Sequence, residues 1–317
     1  MRCQVCGGAT REQAHRFYDD RFGYPGTFSF FRCRRCGHVR LAADFSDAEL
    51  ETLYSDWYPR AASTWEGLEP LPAETGYRAW LEGYRSGAFR WVPREVSILD
   101  IGCGFGQTVD YHLRRGCDAV GIEPDAHAAA EAQRHGLPVR QGVFHASDFE
   151  PASFDFVTLD QVLEHALDPA RFLADVAAVL RPGGQAIIST PNVGGYGARL
   201  FRDRWINWHP PYHINLFTRS SIRRLSVRSG LQVQSVRTLT ASAWARYQWF
   251  HWFTRPPEGV PSPYWDKGRS PLTVPHRVGK AAEWIDRANG FQLSARATDA
   301  LGIGDNMLAI LARPERG

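Results

Sequence analysis

A strand, a glycine-rich turn and a helix are predicted in direct succession at residues 96–109, VSILDIGCGFGQTV, and this succession constrains the fold most strongly. The first residues are apolar enough for a buried strand, three glycines follow at alternate positions, and Gln107 begins a helical pattern. A tight turn of this kind needs backbone angles that a Cβ disfavours, and a bound ligand must approach the backbone closely. The stretch therefore predicts a nucleotide-like ligand at the end of a buried strand.

The spacing of the glycines narrows the choice of ligand. Gly102, Gly104 and Gly106 form GxGxG, whereas a dinucleotide-binding turn would have its third glycine at position 107, where this chain has glutamine. NAD is therefore disfavoured. The next predicted strand, residues 118–123, ends in Glu123, which adjacent parallel strands would place to accept hydrogen bonds from both hydroxyls of a ribose.

Several landmarks in order resemble the class I S-adenosylmethionine-dependent methyltransferases. They are the run Asp100 to Gly106, the acid at 123, Leu163-Glu164-His165 before Asp168-Pro169, and the turn Arg181-Pro182-Gly183-Gly184. The resemblance covers residues 96 to about 240 and implies an α/β fold with a doubly wound, mostly parallel seven-stranded sheet. S-adenosylmethionine is the implied methyl donor. The implied donor-binding residues are Asp100, Gly102, Gly104, Gly106, Glu123, Val143, Phe144, Asp160 and Gln161, with Val143 and Phe144 standing where the family often has an acid for the adenine amine.

Candidate catalytic residues follow the fourth and fifth predicted strands. Glu164 and His165 lie where open α/β sheets place reactive groups, and a histidine can accept a proton near neutral pH. In the family the same letters also pack this loop and line the donor. Tyr212 and His213 belong to an aromatic segment, residues 194–217, that resembles the acceptor-covering segment of small-molecule methyltransferases. For these two residues, acceptor binding and simple packing both stay open.

Two CxxC pairs, Cys3/Cys6 and Cys33/Cys36, predict a structural zinc site in the first forty residues. Four thiolates complete a closed tetrahedral site, and a module this small has too little core to fold without a staple. Disulfides are the alternative, but a cytoplasmic chain keeps its thiols reduced.

The expected domains are a zinc ribbon at 1–43, a helical and aromatic cover at 44–95, and the methyltransferase domain at 96–317 with an insertion at 241–305. Within the cover, helical patches are predicted at 47–54 and 77–91, with a capping box at Ser46 and Glu49. The Trp-rich start of the insertion fits a lid, a packed helix or an interfacial membrane helix.

Composition limits the partners. A formal charge of +3 over 317 residues is too small to argue for a polyanion, so nucleic acid is an unlikely partner, and no signal peptide or spanning segment is predicted. We therefore expect a cytoplasmic enzyme that methylates a small molecule by in-line transfer with a histidine base. By resemblance the acceptor is a sugar or another natural-product or cell-envelope precursor. An RNA methyltransferase and a non-catalytic zinc-ribbon adaptor are the alternatives.

Overall fold

The computed structural model describes residues 2–43, 45–46, 49, 52–58, 64–68, 71 and 75–315. Its strands, in chain order, are β1 (Thr10–Glu12), β2 (Phe17–Tyr18), β3 (Thr27–Phe28), β4 (Phe30–Cys33), β5 (Val39–Leu41), β6 (Ser97–Ile101), β7 (Asp118–Glu123), β8 (Val139–Gln141), β9 (Phe154–Asp160), β10 (Leu180–Pro191), β11 (Asn215–Leu216), β12 (Gln232–Thr238) and β13 (Asn306–Ala312).

A seven-stranded sheet forms the centre of the molecule, in the order β12-β13-β10-β9-β6-β7-β8. Strands β6 to β10 run parallel, and β13 is antiparallel to both β10 and β12. Since β6 pairs with β7 on one side and with β9 on the other, the winding of the chain reverses between β6 and β9. The predicted α/β fold with a doubly wound, mostly parallel sheet is thus confirmed.

The helices cover this sheet and extend into the insertion. They are α1 (Tyr77–Glu82), α2 (Gln107–Leu113), α3 (Ala126–Arg134), α4 (Pro169–Val179), α5 (Tyr196–Leu200), α6 (Arg219–Arg228), α7 (Ser242–Thr254), α8 (His276–Arg287) and α9 (Gly290–Ala300). Short helical turns occur at Leu53–Trp57, Trp65–Gly67, Tyr84–Ser86, Ala88–Trp91, Ala146–Asp148, Leu163–His165 and Arg202–Arg204.

Side-chain caps fix the starts of the helices that follow the sheet strands. The Asp125 carboxylate accepts a hydrogen bond from the Ala128 amide. Asp168, the residue before Pro169, accepts hydrogen bonds from the Ala170 and Arg171 amides. Each cap satisfies helix amides that have no partner within the helix. The predicted turn at residues 181–184 is part of β10, whose register against β9 shifts between Leu180 and Gln185.

The cover is less regular than predicted. The patch 77–91 is a series of three short helices, broken at Gly83, which has φ +71°. A Cβ at Gly83 would lie 2.2 Å from the Thr240 carbonyl oxygen, so the close approach of the chain just before the insertion also requires glycine there. Ser46 and Glu49 form the reciprocal capping contacts, while residues 47, 48, 50 and 51 of the predicted first patch lie outside the described residues.

The cysteine-bearing segment is joined to the rest of the chain through a shared sheet. Strands β1, β4 and β5 form one sheet with β11, and β11 belongs to the segment that follows β10. Cys3, Cys33 and Cys36 also pack in the same buried cluster as Phe217 and Leu225. The first forty residues are therefore built onto the segment that carries Tyr212 and His213.

The insertion packs against the same region. Trp244, Tyr247 and Trp265 contact a core formed by Phe17, Phe30 and the tryptophans of the segment after β10. In the part of the chain that the structure describes, no helix is both long and apolar enough to cross a bilayer.

Candidate active site

The carboxyl ends of β6, β7 and β9 bring the predicted donor-binding residues together. Ile101 pairs with Ile122 on one side and with Leu159 on the other. The next residue along each of the three strands is Gly102, Glu123 or Asp160. These residues therefore lie at the same level, at the carboxyl edge of the sheet. This is the switch point at which open α/β sheets bind their ligands.

Glycine is required in the turn after β6 for two different reasons. Gly102 has φ +71°, and a Cβ there would lie 2.5 Å from a methyl group of Val162. Gly104 has φ +56°, and a Cβ there would meet no atom of the described residues within 4 Å. The backbone at Gly104 therefore faces open space, as a turn that receives a ligand should.

Glu123 is buried, and its carboxylate is oriented by two backbone amides. One oxygen accepts from the Gly104 N–H at 2.8 Å and the other from the Asp125 N–H at 3.0 Å. A carboxylate oxygen can accept a second hydrogen bond. The glycine turn and the acid thus form one unit, with the carboxylate held beside the open backbone.

Two further acids support this unit. Asp100 accepts hydrogen bonds from the hydroxyls of Thr108 and Thr158, and Asp160 accepts from the Ala88 amide at 3.0 Å. Burial raises the pKa of both carboxyls to about 6. Through these hydrogen bonds, Asp100 connects β6 to β9 and to the helix after the glycine turn, and Asp160 connects β9 to the cover.

The remaining predicted donor-binding residues lie in different surroundings from one another. Gln161, with φ +58°, donates from its amide to Ser189 Oγ at 2.8 Å and to Asn306 Oδ1 at 3.0 Å. The Phe144 ring turns into the core, with ring centroids 5.9 Å from Phe149 and 5.6 Å from Phe172. Val143 is 62% exposed. An adenine contact by either residue stays a prediction.

The fold brings His213, from the segment after β10, next to the adjacent residues Glu164 and His165. One ligand atom from each lies within 4.8 Å of the others, a spacing at which three side chains could hold a metal ion. Glu164 is fully buried, accepts from the Thr190 hydroxyl at 2.9 Å, and has its pKa raised to about 8 by burial. It is therefore mostly protonated at neutral pH.

Hydrogen bonds set the tautomers of the two histidines. His165 Nδ1 lies 2.8 Å from the Tyr212 carbonyl oxygen and 2.9 Å from the Tyr54 hydroxyl. His213 Nδ1 lies 2.8 Å from the Asn207 carbonyl oxygen. A carbonyl only accepts, so in both rings Nδ1 carries the proton and Nε2 the lone pair. Burial holds the pKa of His213 well below its usual value, so that ring is neutral.

An aromatic cluster encloses this pair, and much of it was not predicted from the sequence. Tyr212 contacts the rings of Phe22, Tyr54, Tyr58 and His209 at centroid distances of 4.7–5.7 Å. Burial raises the pKa of the Tyr212 hydroxyl and holds that of His209 well below its usual value. Arg21 and Tyr54 come from segments whose local patterns carry no signal for a site, whereas His209 lies in the segment 194–217 that was expected to cover the acceptor.

The four predicted zinc ligands meet in one place. The Sγ atoms of Cys3 and Cys36 lie 3.7 Å apart, those of Cys6 and Cys33 lie 3.5 Å apart, and all four are free thiols. Zn–S bonds of about 2.3 Å place the sulfurs of a tetrahedral site about 3.8 Å apart. The donor set and its spacing suit zinc.

Hydrogen bonds connect this cysteine site to the turn that carries His165. His38 Nδ1 lies 3.8 Å from Cys3 Sγ, and its Nε2 lies 3.2 Å from Asn215 Oδ1. The Asn215 amide then donates to the Ala166 carbonyl at 2.6 Å. Strand β5 adds a second connection, because the Arg40 guanidinium donates to the Leu167 carbonyl at 3.0 Å.

Comparison with known proteins gives one family match and several related enzymes. A family model described as a methyltransferase domain matches residues 48–236. A ubiquinone biosynthesis O-methyltransferase of Aeromonas salmonicida (strain A449) is 34% identical over 162 residues, covering 46% of this chain and 65% of that protein. The enzyme of the same name from Bradyrhizobium sp. (strain ORS 278) is 36% identical over 102 residues, covering 31% and 40%. The chain thus spans less than two thirds of these relatives.

Solved structures give weaker matches. A geranyl diphosphate C-methyltransferase from Streptomyces coelicolor A3(2) aligns with a TM-score of 0.45 and 16% identity, covering 74% of this chain and 79% of that one. A SAM-dependent methyltransferase from Methanosarcina mazei aligns with a TM-score of 0.43 and 17% identity, covering 71% and 96%.

Proposed function

The chain belongs to the methyltransferase domain family, and from this membership we propose that it transfers the methyl group of S-adenosylmethionine to a small-molecule acceptor, with His165 as the base. The observation that carries the proposal is the position of His165. Its Nδ1 is held by the Tyr212 carbonyl, which leaves Nε2 as the proposed basic atom, and its turn begins three residues beyond the end of β9, at the proposed donor-binding edge of the sheet.

Glu123 and the glycine turn are the proposed donor site. When bound there, S-adenosylmethionine supplies an electrophilic methyl group on a sulfonium. The Glu123 carboxylate, oriented by the Gly104 and Asp125 amides, accepts hydrogen bonds from the ribose hydroxyls. The backbone at Gly104 leaves room for the adenosyl moiety because nothing in the described chain occupies its Cβ direction.

His165 and His213 have different roles at the acceptor. His165 Nε2 removes the proton from an acceptor hydroxyl or acidic carbon as the methyl group is transferred in line. His213 lies 5.0 Å from His165, ring to ring, and remains neutral, so it orients the acceptor by accepting a hydrogen bond at Nε2. Glu164, protonated and buried behind them, adds no charge that would pull the proton back.

The enclosure of the site favours a small acceptor. Tyr212, His209 and His213 are at most 7% exposed, and rings of four aromatic side chains surround Tyr212. A polymer such as RNA needs an open, basic groove, and the charge of +3 does not supply one. Aromatic walls suit a flat phenol, as the similarity to ubiquinone biosynthesis O-methyltransferases suggests, or the apolar face of a sugar.

We assign structural zinc to Cys3, Cys6, Cys33 and Cys36. All four ligand positions are cysteine, so the site is closed and has no open position for catalysis. Zinc there fixes β5 and, through it, β11 and the turn after β9.

The test is methyl transfer from labelled S-adenosylmethionine to a panel of phenols and nucleotide sugars, using zinc-loaded protein. For the acceptor that reacts, we expect His165→Ala to lower kcat at least 100-fold and to remove the acidic limb of its pH profile. The affinity for S-adenosylhomocysteine should stay unchanged. His145→Ala, at an exposed histidine before the turn Ala146–Asp148, is the matched control. Folded protein that fails to bind S-adenosylhomocysteine in calorimetry would refute the proposed function.

A further inference from the structure

A group of buried hydrogen-bond donors beside the two histidines has no role in the proton transfer described above. Its members are Arg21, His209 and Tyr212, all at most 6% exposed. Within the described part of the chain, Arg21 Nε, both ring nitrogens of His209 and the Tyr212 hydroxyl have no hydrogen-bond partner. Leaving buried donors unpaired is costly, so the group indicates a ligand that brings acceptor atoms.

These side chains belong to one cluster. The His209 ring stacks on Tyr212 with centroids 4.7 Å apart, and Phe22, the residue after Arg21, contacts both rings at 5.5 and 5.6 Å. The Arg21 guanidinium lies over the Trp265 ring at 4.5 Å, and its Nη2 donates to the Ile206 carbonyl. The cluster thus fixes a guanidinium beside a phenol and an imidazole.

Asp19 and Asp20 favour the charged form of Arg21, but both carboxylates take their hydrogen bonds and ion pairs from other groups. The Asp19 carboxylate accepts hydrogen bonds from three backbone amides, at residues 21, 22 and 24. Asp20 pairs with His251 and Arg255, each at 3.3 Å. Neither acid forms an ion pair with Arg21 among the residues described. A guanidinium stays protonated at any ordinary pH, so the buried Arg21 Nε–H group still lacks a hydrogen-bond acceptor.

We propose that Arg21, His209 and Tyr212 form a subsite for an anionic group of the methyl acceptor, a carboxylate or a phosphate. This inference rests on the proposed function. The His209 ring centroid lies 5.0 Å from that of His213, which lies 5.0 Å from that of His165. The His213 ring therefore separates the anion subsite from the proposed base. Because the donor atoms are buried, the acceptor must displace side chains packed on them, among which is Tyr54, whose ring contacts that of Tyr212.

Three matched probes test this subsite by calorimetry on zinc-loaded protein saturated with S-adenosylhomocysteine. Benzoate and phenyl phosphate carry the two candidate anions on the same ring, and benzamide is the neutral counterpart of benzoate. We expect at least one anion to bind ten times more tightly than benzamide, and the tighter one identifies the group as carboxylate or phosphate.

Variants test which residues produce the preference for an anion over benzamide. Arg21→Gln should abolish this preference, Arg21→Lys should retain part of it, and Tyr212→Phe should weaken it severalfold. Arg204→Gln, at an exposed arginine 5.7 Å from the Trp252 ring, is the control and should leave it unchanged.

Equal affinity for benzamide and both anions, no saturable binding of either anion, or a preference that survives Arg21→Gln would overturn the proposal. If Arg21→Gln does not fold, the comparison of the three probes in the unmodified protein and in Tyr212→Phe decides the question. The S-adenosylhomocysteine titration separates this result from the proposed function, because only loss of that binding in the unmodified protein counts against methyl transfer.

Discussion

Replacing Asn215 by leucine should loosen the turn that carries His165 and, at the same time, the cysteine site. Asn215 is fully buried, and its side chain joins His38 Nε2 at 3.2 Å to the Ala166 carbonyl at 2.6 Å. Leucine keeps the volume but leaves both partners without a hydrogen bond. Each unsatisfied buried group costs about 1–3 kcal/mol, so we expect the free energy of unfolding to fall by about 2–6 kcal/mol.

A matched asparagine separates this effect from general destabilisation. Asn192 is also buried and makes two comparable bonds, from its amide to the Gly304 carbonyl at 2.8 Å and from the Gly194 amide at 3.0 Å, but neither reaches the cysteine site. Asn192→Leu should therefore lower the free energy of unfolding by a similar amount. Only Asn215→Leu should also speed the release of zinc to a chromophoric chelator and lower kcat at unchanged S-adenosylhomocysteine affinity.

The measurements are urea unfolding followed by tryptophan fluorescence, and the absorbance of the chelator after rapid mixing. Equal zinc-release rates in the two variants would refute the coupling between the cysteine site and the turn. A loss of less than about 1 kcal/mol in Asn215→Leu would refute the assignment of two buried bonds.

Three further predictions follow from the same geometry. Glu123→Ala should weaken S-adenosylhomocysteine binding by about 1–3 kcal/mol in calorimetry, with exposed Asp148→Asn as the control; unchanged affinity would mean that Glu123 is misassigned. Since burial raises the pKa of Glu164 from 4.5 to about 8, the folded state keeps a proton that the unfolded state releases, so stability should fall as pH rises through this range. Glu164→Gln should flatten that slope in urea unfolding at pH 5 and pH 8.5, and a slope equal to that of the unmodified protein would contradict the assignment. Removing zinc with a chelator should expose both residues 2–43 and the segment after β10 to limited proteolysis, because β5 and β11 share a sheet; cleavage confined to the first forty residues would contradict this.

The central sheet was predictable because its signals are local. The buried run of β6 and the glycines after it fix a strand and its turn, and the apolar pattern of residues 118–123 fixes β7 to the residue. Parallel strands joined by helices then leave few possible orders. The meeting of Gly104 and Glu123 at one edge follows from that order alone.

The environment of the histidines was not predictable in the same way. Which residues approach His165 depends on pairings between distant segments, such as β5 with β11 and Tyr54 with Tyr212. Nothing in the letters around Arg21 distinguishes a buried guanidinium from a solvated one. The sequence supplied the candidate bases, whereas their tautomers come from carbonyls at residues 207 and 212 that only the folded chain brings near.

Burial has a kinetic consequence for the proposed reaction. In the proposed reaction the sulfonium loses its positive charge as the new bond forms, and the imidazole that takes the acceptor's proton gains it, so the charge is conserved but spread over more atoms in the transition state. A site of low polarity favours this dispersal over the concentrated charge of the sulfonium. The acids at the edge, Asp100, Glu123 and Asp160, lie at the proposed donor site, while Arg21 belongs to the proposed acceptor subsite. This separation would attract a cationic donor to the acids and an anionic acceptor to Arg21. After transfer, the neutral thioether would no longer have the attraction that the acids exert on the sulfonium.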